Sequence, residues 1–233
     1  MKISVAEYNP LSISRTSRLE HIIHELKADI ICISGSGQKQ DKRRQSYTNW
    51  LEAGYRVISW GWDGNAKYSN KSAGVMILLG PRLSAANIVE VMSPDFELQG
   101  RCGGLRCKSK SIDISIVVGY PPPITGKGDE RAHQAAASLH TAAWCIGKVN
   151  TAKMRSLPLL VGDMQCKWGL TSNGERWSGH GEHWLQFMGK DEVDKKWEDF
   201  FLGNKILAML GLFFGNQDLR ISTTKAQERP LIA

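Results

Sequence analysis

Polar residues stand just past the ends of several short apolar runs in this sequence. Asn9 follows the run 2–7, Tyr120 follows 112–119 (IDISIVVG), and Asp163 with Gln165 follows 158–161. Gly35 closes a further run, 29–34 (DIICIS). An acidic residue, carboxamides and a tyrosine gathered on one edge are what an oxygen-ligated divalent cation and phosphate-ester hydrolysis require. Gly-Asp after a strand is also ordinary turn chemistry, so the pattern gains meaning only if the four strand ends meet.

That requirement leads to the elements that must position them. Unbroken apolar runs such as 29–34 suit strands covered on both faces. Strands are expected at 2–7, 29–34, 55–60, 73–79, 87–92, 104–107, 112–119 and 158–161, the seventh halted by Tyr120 and the prolines 121–123. A helix is expected after Ser17, where Glu20 completes a capping-box spacing and Leu19, Ile22, Ile23 and Leu26 share one face. A longer helix is expected over 129–154, from Ala132, Ala136, Leu139, Ala143, Ile146 and Val149. Beyond Asp163 the periodicity weakens. In layered α/β folds strand ends collect on one edge, so residues distant in sequence can converge.

Length and composition bound the answer. The 233 residues suffice for one large α/β domain, and 42% hydrophobic with 23% charged residues is a globular balance that excludes disorder and coiled coil. The longest apolar run, 206–214, is too short to span a bilayer, and Glu7 and Pro10 interrupt the N-terminal run too early for a signal peptide. No membrane partner is expected. Five scattered cysteines (Cys32, Cys102, Cys107, Cys145, Cys166) argue against a disulfide framework, and an intracellular location, nucleus or cytoplasm, is expected. The net charge of +7 suits a phosphate-rich partner. The basic run 39–44 (KQDKRR) offers Lys39, Arg43 and Arg44 as backbone contacts, or else a solvated loop. The histidine pairs His21/His24 and His180/His183 lack further zinc ligands and are read as structural or surface groups. Trp60 continues a strand and is read as core; Trp62 invites the same reading, with base stacking as the alternative.

The ordered segments 5–9, 29–36, 74–79, Gly100-Arg101, 116–122 (IVVGYPP) and 159–165 (LLVGDMQ) resemble the exonuclease–endonuclease–phosphatase superfamily. Within it they look closest to the endonuclease domain of non-LTR retrotransposons. The resemblance covers residues 1–215 and leaves 216–233 as an irregular tail. It implies a four-layer α-β-β-α sandwich of two packed mixed sheets flanked by helices, here expected to lack its final strands. It implies cleavage of phosphodiester bonds with Mg²⁺ or Mn²⁺ on nucleic acid, DNA rather than RNA. Asn9 matches the asparagine beside metal and phosphate, Tyr120 the tyrosine that holds the scissile phosphate, and Asp163 the aspartate that orients and deprotonates water.

Three positions depart from the family pattern. Gly35 stands where the family has its glutamate metal ligand, within Ser34-Gly35-Ser36 in place of Gln-Glu-Thr. Gln165 stands where the family has asparagine, and roughly 1 Å of misplacement can cost about 10²-fold in rate. The family's closing Ser-Asp-His has no counterpart before Ala233. Catalysis is therefore expected to be impaired or lost, the alternative being a non-catalytic relic or basic nucleic-acid-binding module on the same scaffold. Restoring a carboxylate by Gly35→Glu is expected to improve metal affinity.

Overall fold

Two runs whose every residue is apolar or small set the frame, because each needs cover on both sides. In the computed structural model these are β2 (Ile30–Ser34) and β4 (Val75–Leu79), buried along their whole length. The structure describes residues 3–10, 12–13, 24, 27–42 and 47–165, with the backbone of 168–169, 186–187 and 220–223.

Around β2 and β4 the chain builds a five-stranded mixed sheet in the order β11-β1-β2-β4-β3, with β1 at Ser4–Tyr8, β3 at Arg56–Trp60 and β11 at Arg220–Thr223. β1 is parallel to both β11 and β2, and β4 runs antiparallel to β2 and β3. The second sheet has the order β5-β6-β7-β8: Asn87–Met92, Cys102–Lys108, Asp113–Gly119 and Leu157–Val161. Its first three strands are antiparallel, and β8 returns parallel to β7. A parallel return needs a crossover, and the helix α3 (Gly128–Asn150) supplies it. A short antiparallel ribbon pairs β9 (Trp168–Gly169) with β10 (Gln186–Phe187).

The strands alternate, and the core divides accordingly. Val5, Ile30, Cys32, Val75 and Ile77 from the first sheet meet Leu105, Ile114, Ile116 and Val118 from the second. On the outer face of the first sheet, Ala6, Tyr8, Ile31, Ile33, Met76 and Leu78 pack with Trp50 of α1 (Thr48–Glu52). On the outer face of the second, Val117 and Leu160 pack against α3 (Gly128–Asn150). That helix buries Ala137, Thr141, Cys145 and Val149, one residue every four, with Ser138 and Ala142 beside them. Each large apolar side chain buried this way contributes about 1.5–3 kcal/mol relative to exposure. The result is two mixed sheets packed face to face with helices outside.

The strands of the expected list appear with shifts of at most two residues at their ends, and the long helix ends sooner, at Asn150. Of the helix expected after Ser17 only His24 and Lys27 are among the described residues, and 192–202 and 205–212, whose sequence suits helix or strand, lie outside them. In the segment expected as an irregular tail, Arg220–Thr223 forms a strand on the open side of β1. Short helices at Thr48–Glu52 and α2 (Pro81–Ser84), and a 3₁₀ turn at Phe96–Leu98, were not legible as apolar periodicity because they span barely one turn.

Candidate active site

The ends of β1, β2, β7 and β8 meet at one edge. The Asn9 Nδ2 donates to Asp163 Oδ2 at 3.0 Å, although the two residues are 154 positions apart and belong to different sheets. Asn9 and Tyr120 are hydrogen-bonded through their side chains. Asp163 is held from behind: its backbone N–H donates to Ser34 Oγ at 3.2 Å, and the Gln165 N–H donates to Asp163 Oδ1 at 3.3 Å. Gly162 makes the approach possible. Its φ is +141°, and a Cβ there would lie 2.0 Å from the carbonyl oxygen of Gly119, so only glycine lets the β8 end press against the β7 end.

Gly35 sits in the same cluster. Its φ is +72°, and a Cβ would stand 2.9 Å from Asn9 Oδ1 and 3.1 Å from Tyr120 Cζ. The expected benefit of Gly35→Glu meets an obstacle in this geometry. A glutamate at this position would adopt left-handed backbone and push into the Asn9–Tyr120 pair, displacing the groups it was meant to complete.

Tyr120 is buried, and its backbone N–H donates to the Arg101 carbonyl at 2.7 Å. Burial raises the Tyr120 hydroxyl above its usual range and the Asn9 hydrogen bond lowers it, while the charge of Asp163 and of Glu7 raises it and that of Arg101 lowers it. Tyr120 is therefore a neutral donor at physiological pH. Arg101 is only 1% exposed, donates through Nε to the Tyr68 carbonyl at 2.8 Å, and lies with its guanidinium 5.9 Å from the Tyr120 ring centre. Its Nη1 has no hydrogen-bond partner among the described residues. Burial brings Arg101 down to about 10, which leaves it charged at neutral pH.

Two members of this edge were not singled out by sequence reasoning as site residues, Arg101 and Glu7. A usable signal existed for Glu7. Ile3 and Val5 face the space between the sheets while Ala6 and Tyr8 face outward, so a carboxylate at position 7 continues the inward row. For Arg101 the sequence offers no period or run that distinguishes a buried arginine from a surface one.

Lys39 is exposed, with Nζ 3.0 Å from Asp41 Oδ2 and 5.9 Å from the Trp62 ring. The Trp62 Nε1 donates to the Gly37 carbonyl at 3.0 Å, which ties this half-buried ring to the loop that starts at Gly35. Arg43 and Arg44 lie outside the described residues. Gln165 is exposed and adopts a φ of +51°. Trp60 is 3% exposed and packs over Gly103, as a core residue does. His24 is exposed; its partner His21, and the pair His180/His183, lie outside the described residues. Among the described residues no group of three or more His, Cys, Asp or Glu side chains converges, so a cation here would need amide, water or phosphate oxygens as well. The Asn9 carbonyl oxygen and the Asp163 carboxylate are hard donors of the type Mg²⁺ and Mn²⁺ accept.

No family model and no curated protein matches this chain. Solved structures similar to it include the 3′ phosphatase NExo from Neisseria bound to product DNA hairpin, at 11% identity and a TM-score of 0.48, matched over 71% of this chain and 57% of that one. The AP endonuclease LMAP from Leishmania major is similar at 14% identity and a TM-score of 0.48, over 70% and 54%. Truncated TDP2 from Caenorhabditis elegans is similar at 14% identity and a TM-score of 0.47, over 71% and 63%. The matched region thus spans little more than half of the first two chains. At this level of likeness, function has to be carried by the side chains of the present chain.

Proposed function

We propose that this domain is a phosphodiester-cleaving module of the exonuclease–endonuclease–phosphatase type, of retroelement-endonuclease origin, that acts on nucleic acid, DNA rather than RNA, with reduced catalytic power. The observation that carries the reading is the Asn9–Asp163 hydrogen bond at the meeting of four strand ends, with Tyr120 alongside. In it, Asp163 accepts a proton from the attacking water, and Asn9 holds that carboxylate in place through Nδ2. Tyr120, neutral and donating, faces a non-bridging phosphate oxygen. A bound Mg²⁺ or Mn²⁺ would polarise the phosphate and offset charge that develops on its oxygens.

The weakness lies at two positions. Gly35 brings no oxygen donor to the edge. Gln165 carries its carboxamide one methylene farther than asparagine would, from a left-handed backbone position, so it orients water or phosphate poorly. Lys39, on the loop that follows Gly35, supplies a phosphate-backbone contact, and Arg43 and Arg44 follow it in the same basic run of the sequence.

A nicking assay on supercoiled plasmid, with Mg²⁺ and with Mn²⁺, tests the reading. Slow nicking by the natural chain that is absent in Asp163→Ala is expected. The second reading, a non-catalytic nucleic-acid-binding module, draws on Gly35 and would be supported by binding without nicking in either protein.

A further inference from the structure

We propose that Glu7 supplies the carboxylate that position 35 lacks, so that Glu7, the Asn9 carboxamide oxygen and Asp163 form a seat for one hard divalent cation. The assignment rests on the phosphodiester-cleaving reading of this edge and specifies how the cation is held.

Strand geometry puts Glu7 there. Ile3 and Val5 belong to the core between the sheets, Ala6 and Tyr8 to the core on the outer face, and Glu7 continues the inward row one step below Asn9. It pairs in register with Cys32 of β2, and Cys32 is 0% exposed within the same inter-sheet core as Tyr120. The Glu7 side chain is half-buried. Asn9, two residues on and on the same face of the strand, reaches across to Asp163 of the other sheet through Nδ2 at 3.0 Å.

The shape of the edge agrees. The position where a side chain from residue 35 would start is already taken, because a Cβ there meets Asn9 Oδ1 at 2.9 Å and Tyr120 Cζ at 3.1 Å. Asn9 is thus oriented with its nitrogen on Asp163 and its carbonyl oxygen on the Gly35 side. Negative charge cannot enter from β2, and β1 is the adjacent strand that brings it. The donors are all oxygen. An all-oxygen donor set suits Mg²⁺ or Mn²⁺. A small cation of this kind keeps several waters, which matches a seat with few protein ligands.

The test is Mn²⁺ titration of the full chain without nucleic acid, read by electron paramagnetic resonance of free Mn²⁺ and by calorimetry. One Mn²⁺ per chain, displaced by Mg²⁺, is expected. Glu7→Gln should weaken it about tenfold or more, and Glu7→Asp should fall between. Gly35→Glu should not strengthen it. In the natural chain labelled with ζ-¹³C tyrosine, Mn²⁺ should broaden the resonance that Tyr120→Phe removes, a readout that does not depend on any position-7 variant folding. Absence of binding at millimolar Mn²⁺, undiminished binding in Glu7→Gln, or a Tyr120 resonance that stays sharp would each overturn the assignment. Mn²⁺ held through Glu7 with no plasmid nicking would support the seat while overturning the phosphodiesterase reading, so the two failures are distinct.

Discussion

At the scale of single residues, the edge is governed by what Gly35 omits. Because its backbone is left-handed and its missing side chain would strike Asn9 and Tyr120, Gly35→Ala should destabilise the fold by on the order of 1–2 kcal/mol, read as a lower midpoint in urea. Tyr120 gives a second prediction. Its hydroxyl is raised above 10.0 chiefly by burial, so the unfolded chain ionises first as pH rises. The stability that Tyr120 contributes is complete below about pH 10. It is lost as pH climbs toward the folded value. Tyr120→Phe should therefore flatten the alkaline limb of a stability–pH curve, leaving the part due to Tyr55, which burial also raises. The convergence of Asn9, Gly35, Tyr120 and Asp163 was legible in the sequence because each follows an apolar run. Glu7 was within reach of strand alternation, since it continues the inward row of Ile3 and Val5. Arg101 was not, because it precedes β6 in a turn that has no period to read.

At the scale of elements, contact between the two sheets depends on a bare backbone. A Cβ at Gly103 would lie 2.1 Å from the Trp60 ring, so β6 can approach β3 only without a side chain there. Gly103→Ala should destabilise the fold by roughly 1–3 kcal/mol, as overpacked cores do, and shift the tryptophan emission. The β6–β7 pairing carries an ion pair of fork geometry, Arg106 Nε to Asp113 Oδ1 at 2.7 Å and Nη2 to Oδ2 at 2.6 Å. The Arg106 side chain holds the Asp113 carboxyl below its usual 3.8. That contribution is complete above the unfolded value and disappears as pH falls through the lower, folded one. Asp113→Asn should lower the melting temperature at pH 7 and have little effect near pH 2. Strand existence was readable here because buried β-branched runs have few other uses. Register was not, since Cys102–Lys108 contains two glycines and no alternation that would fix its partner.

At the scale of the whole molecule, the excess of basic residues predicts binding governed by counterion release. Affinity for nucleic acid should fall steeply between low and physiological salt, in a gel-shift or fluorescence titration, with no preference among sequences. Lys39→Ala should lower affinity modestly and shallow the salt dependence, since Lys39 already shares its charge with Asp41. No helix among the described residues is long and apolar enough to cross a membrane. The pairing of β11 with β1 sets a condition in time. Ser4 lies opposite Arg220 and Glu7 opposite Thr223, so the strand that carries Glu7 and leads to Asn9 gains its second neighbour only after residue 223 has left the ribosome. Until then a nascent chain that has already paired β1 with β2 presents β1 as an open edge, receptive to any extended segment nearby. A ribosome-stalled chain ending before Arg220 should accordingly hold β1 in a protease-sensitive state, and release of β11 should be the step at which this edge closes.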